Sequence, residues 1–94
     1  MIHKKDMATS RPEFFRNLGI ALKDMDYEVN GDAITVGKGK RRIDMSLSPL
    51  PRRQLSPLLS LERWEVSMEF TGYSDKDRDA FIASFDQVFR RGGG

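Results

Sequence analysis

The densest group of side chains able to do chemistry in this chain of 94 residues is Gly37-Lys38-Gly39-Lys40-Arg41-Arg42. Glycines bare their backbone N–H groups beside four cations, an arrangement suited to phosphate or another anion. A second basic pair, Arg52-Arg53, follows further along. Between positions 38 and 63, seven basic residues stand against two acidic ones, whereas the rest of the chain carries nine against twelve. The net charge of +2 thus conceals a basic centre. Lys38, Lys40, Arg41 and Arg42 are the candidate contacts to RNA or DNA backbone, with a loop at 52–53 extending them. Acid–base chemistry has less to draw on. His3 is the only histidine and falls in a stretch expected to be mobile, so no triad forms around it. Asp44, Glu65 and Glu69 alternate with apolar residues, which puts them on a solvated strand face without the enclosed pocket such work needs. A non-enzymatic protein is the expectation.

Other motifs fail on inspection. Asp75-Lys76-Asp77-Arg78-Asp79 carries the D-x-D-x-D opening of a calcium loop, with Asp86 at the twelfth position. Ala80 stands where that loop turns on glycine, and Asp86 replaces the bidentate glutamate, so no metal is expected. The glycine-lysine turn is not a phosphate-binding loop of the Walker type either, because Ile34 and Arg41 stand where glycine and Ser or Thr are required. No other cofactor motif is present. Without cysteine the chain has no disulfide framework, and no apolar run approaches the ~18 residues of a membrane span. The opening Met1-Ile2-His3-Lys4-Lys5-Asp6 lacks the apolar core of a signal peptide. A soluble, cytoplasmic protein without membrane contact is expected.

The elements that would position these residues follow from periodicity. Residues 1–9 read as a flexible tail, 10–91 as a single α+β domain, and 92–94 as a flexible glycine tail. Ser10-Arg11-Pro12-Glu13 is a helix start, with Ser10 as cap, Glu13 closing a capping box and Pro12 in the first turn. Phe14, Phe15, Leu18, Ala21, Leu22 and Met25 then form an apolar stripe over about 11–25. Tyr27-Glu28-Val29 and Ala33–Val36 predict a hairpin about Asn30-Gly31, expected as a type I′ turn. Two further strands alternate strictly: Ile43, Met45 and Leu47 share one face, as do Trp64, Val66, Met68 and Phe70. Ser74 caps a closing helix whose stripe is Phe81, Ile82, Phe85, Val88 and Phe89. The expected order is α-β-β-β-β-α: a four-stranded antiparallel meander with two helices on one face. Tyr27 and Val29 belong to its inward set.

The α-β-β-β-α core order is similar to that of double-stranded RNA-binding domains. Their second helix opens on a Lys-Lys-x-Ala-Lys signature, where this chain has the acidic Ser74-Asp75-Lys76-Asp77-Arg78-Asp79. The likeness is one of topology alone, and the family is not assigned. Arg90-Arg91-Gly92-Gly93-Gly94 resembles the diglycine tail of ubiquitin-like modifiers and sulfur carriers, but those proteins end in a strand.

The segment Pro49–Glu62 is the irregular part. Three prolines argue against a helix or a central strand, yet five leucines make it too apolar for an ordinary loop. It is expected either to fold over an edge of the core or to meet a partner. Leu50, Arg52, Arg53, Leu55, Leu58 and Leu59 are its candidate contacts, to a protein partner or to a second copy in a homodimer.

Overall fold

The computed structural model describes residues 2–92, apart from the side chains of Lys38, Arg53, Leu59, Leu61 and Arg91. Seven elements follow in the order β1 (Ile2–Ala8), α1 (Arg11–Ala21), β2 (Tyr27–Asn30), β3 (Ala33–Lys38), β4 (Arg41–Ser56), β5 (Leu59–Thr71) and α2 (Asp75–Gly92). The strands form one sheet in the order β1-β5-β4-β3-β2, with every neighbouring pair antiparallel. The α+β class and the helix-on-sheet packing agree with the periodicity. The sheet has five strands where four were expected.

The additional strand comes from the stretch read as a flexible tail over 1–9. Ile2–Ala8 lies along β5 from Ile2 opposite Glu69 to Ala8 opposite Arg63. The inward positions of β1 are His3, Lys5 and Met7, of which Met7 alone is an apolar core residue. Lys5 is accommodated on that face because its ammonium donates to Asp86 of α2. An inward lysine on an edge strand also discourages pairing with another chain.

Helix α1 begins as its sequence dictates. Ser10 Oγ accepts from the Glu13 backbone N–H at 3.3 Å, and Pro12 sits in the first turn. The helix ends at Ala21, short of the expected 25. The β2–β3 hairpin turns through Gly31 and Asp32, because Asn30 itself pairs with Ala33. Of its two central residues only Gly31 has positive φ (64°), whereas a type I′ turn needs positive φ at both. Arg11 fastens α1 to this turn, bonding the Asp32 carboxylate and the Gly31 carbonyl at 3.0 Å.

The core lies between the sheet and both helices. Phe14, Leu18, Leu22 and Phe85 meet Ile34, Val36, Ile43, Met45, Leu47, Val66, Met68 and Phe70. Ring contacts run without a break from Tyr73 through Phe70, Phe81, Phe85, Phe89 and Phe14 to Phe15, with centroids 4.3–6.1 Å apart. Tyr27 and Val29 share the inward register but are exposed. They occupy the sheet's far edge strand, which the helices leave largely uncovered.

Candidate functional site

The irregular segment is a β-hairpin arm. β4 pairs with β3 only as far as Ser46, and β5 with β1 only from Arg63 onward. Residues 50–62 are therefore a two-stranded ribbon closed by Pro57 and Leu58, standing off the sheet. The Cα radius of gyration is 13.9 Å, against roughly 12 Å for a compact chain of this length. The long axis reaches 48 Å beside widths of 23 and 21 Å.

Prolines do not prevent this because β4 has lost its second neighbour there. Leu47 N–H points away from β5, donating to the Asp32 carbonyl at 2.9 Å. Backbone donors alternate sides along a strand, so Pro49 two residues later lacks its N–H on that same open side. Opposite Trp64 it interrupts no ladder bond. Pro51 falls where the register shifts between Leu50 and Arg53, and a second shift follows between Gln54 and Ser56. Each inserts one extra residue into β4, which bends and twists the ribbon.

Of the two expected fates of this segment, folding over an edge of the core is not realised by its leucines among the described side chains. Leu58 at the tip is 99% exposed and Leu55 is 49% exposed, while Leu50, nearer the body, is half-buried. None of the three belongs to the core cluster. Arg52 is exposed and donates to Ser60 Oγ across the ribbon at 3.0 Å. Arg53 lies in β4 and Leu59 opens β5, but their side chains lie outside the described residues. At the base of the arm, Arg63 bonds Asp6 of β1 and reaches the Pro51 carbonyl at 3.5 Å. The hydrogen bond to Asp6, and that carboxylate's charge, raise the Arg63 pKa above its already high ordinary value. β1 thus braces the arm's root.

The basic turn is at the other end of β4. Arg52 lies ten residues beyond Arg42 along β4, about 33 Å at the usual rise, so the two candidate basic groups do not converge. Lys38 ends β3, and its side chain lies outside the described residues. Lys40 is exposed. Arg41 lies 3.5 Å from Asp77 and stacks over Tyr73 with 4.3 Å to the ring centroid. Arg42 bonds Asp44 at 3.0 Å. Both arginines are already engaged by acids.

The acidic run at the start of α2 is helical. Ser74 Oγ accepts from the Asp77 N–H at 3.1 Å, and Arg78 bridges Asp75 and Asp79 at 3.1 and 3.2 Å. Asp44 faces Glu69 across β4 and β5 on the uncovered sheet face. Among the described residues no three His, Asp or Glu side chains come together as a metal site. The glycine tail beyond residue 92 lies outside the described residues.

One polar residue escaped the sequence reading. Asn17 in α1 is buried beside Phe14 and Leu18, and its Nδ2 makes no hydrogen bond. Its spacing, three after Phe14 and one before Leu18, was the available signal, since it places an amide within the apolar stripe.

Compared with known proteins, the chain matches no family model, no curated protein and no solved structure. Among the described residues no helix is long and apolar enough to cross a membrane.

Proposed function

We propose that this chain is a non-enzymatic binding module that engages a protein partner through the tip of its β4–β5 arm. The observation supporting this is Leu58, fully exposed at the end of a ribbon, with Leu55 half-exposed close by. Burying a leucine side chain is worth about 1.5–3 kcal/mol, and no core function accounts for leucines held there. Arg52 on the ribbon adds the arginine that interfaces favour. A second copy of the chain is the simplest such partner. A cytoplasmic setting accompanies the proposal, supported by the cysteine-free composition.

The test is Leu55→Asp with Leu58→Asp, read by light scattering for self-association and by pull-down for other partners. Loss of the complex with unchanged thermal stability supports the arm. A complex that survives both substitutions removes it. Binding to RNA or DNA backbone through 37–42 and 52–53 has less behind it, given the distance between the two groups and the acids on Arg41 and Arg42. Its signature is nucleic-acid affinity falling steeply with salt.

A further inference from the structure

We propose that the cleft between β1, α1 and α2 is a binding site for a small carboxylate with a short apolar tail. The cleft is far from the arm tip in sequence and is lined by Lys5, Met7, Asn17, Asp86, Phe89 and Arg90, with a volume of about 340 Å³. That lies at the lower end of the roughly 300–1,000 Å³ found for small-molecule sites. Met7 and Phe89 supply apolar wall and both belong to, or pack against, the core.

Two features give the cleft a chemical preference. Asn17 is 2% exposed and its Nδ2 has no hydrogen-bond partner among the described residues. An unpaired buried donor is costly, and folded interiors nearly always satisfy it. An acceptor brought in by a ligand satisfies it once the amide turns toward the cleft, since the Nδ2 is covered as it stands. The second feature is charge. Lys5 and Asp86 bond one another and neutralise each other, while tying β1 to α2. Arg90, exposed at the cleft, is left as the uncompensated charge of the lining.

A carboxylate answers both needs, accepting from Asn17 and meeting the Arg90 guanidinium, while its tail lies along Met7 and Phe89. A neutral ligand leaves Arg90 unused. Inorganic phosphate makes no use of the apolar wall.

The experiment is a titration of the isotopically labelled full chain with butanoate, hexanoate and octanoate, following the Asn17 side-chain amide signals by NMR. Hexanol and inorganic phosphate serve as comparison ligands. A saturable shift of the Asn17 NH2 pair is expected, tightening with chain length and absent with hexanol. Asn17→Leu should abolish hexanoate binding, read by calorimetry. Arg90→Gln, on an exposed residue that leaves the fold intact, should weaken it about fivefold, the upper contribution of an exposed charge pair. The proposal is overturned if no carboxylate shifts the Asn17 amide below about 10 mM. It is equally overturned if hexanol or phosphate shifts that amide as hexanoate does, or if Arg90→Gln binds hexanoate unchanged.

Discussion

Replacing Gly72 by alanine should be far more damaging than replacing Gly31, although both glycines have positive φ, 75° and 64°. The left-handed conformation costs alanine about 1–2 kcal/mol, partly offset by about 0.4–1 kcal/mol from a less flexible unfolded chain. At Gly31 nothing lies within 4 Å of the added Cβ, so the conformational balance is the whole effect. Gly31→Ala should therefore cost about 0.5–1 kcal/mol. At Gly72 the Cβ would fall 1.8 Å from the Lys40 carbonyl oxygen and 2.8 Å from its carbon. To regain ordinary contact at 3.4 Å, the end of β5 must move away from the β3–β4 turn by about 1.6 Å. That separation removes the last ladder bond, about 1 kcal/mol. It also disturbs the stacking of Arg41 on Tyr73, about 0.5–1 kcal/mol at an exposed site. The total for Gly72→Ala is about 2–3 kcal/mol. Urea unfolding followed by Trp64 fluorescence and by far-ultraviolet circular dichroism measures both variants. Unchanged slopes are needed for the comparison. If the two variants differ by less than about 1 kcal/mol, the close backbone approach at Gly72 does not govern the cost of the substitution.

Two other substitutions test the core and the helix. Phe85 is 1% exposed and stacks on Phe89 at 4.3 Å, so Phe85→Ala should cost about 3–5 kcal/mol. Trp64 is only half-buried, its indole N–H donating to Glu62 at 3.1 Å, and Trp64→Ala should cost clearly less in the same denaturation assay. Gly19→Ala should stabilise the protein by up to about 1 kcal/mol, because the new Cβ would meet Tyr27 Oη at an ordinary 3.6 Å. A lower unfolding midpoint in urea for Gly19→Ala would contradict the ordinary spacing between Gly19 and the Tyr27 hydroxyl.

What the sequence made legible follows from where apolar residues repeat. The stripes Phe14–Leu18–Leu22 and Phe81–Phe85, and the alternation at 43–47 and 64–70, report burial directly, and all contribute to the core. β1 was illegible because its inward positions are His3, Lys5 and Met7. Lys5 belongs inside only by virtue of Asp86, which lies 81 residues away and is invisible to any local pattern. Tyr27 and Val29 misled in the opposite sense, since alternation gives the face of a strand but not its place in the sheet. At an edge the inward face need not be covered.

The arm shows the same limit in a form that bears on recognition. Proline is excluded from central strands, and the prolines at 49 and 51 suggested that no strand was there. β4 is central through Ser46 and then loses one neighbour, so the rule still holds while the strand continues. The consequence reaches the proposed function. Pro49 lacks its N–H on the ribbon's open side, and Pro51 sits in a bulge, so that margin of β4 is a poor template for an added strand. A partner that zipped onto this β4 margin by backbone pairing would meet missing donors and broken register. Side-chain contact at the tip remains, and the tip is where Leu55 and Leu58 are exposed. The same prolines that hid the strand therefore favour a partner that reads the arm's side chains over one that extends its sheet.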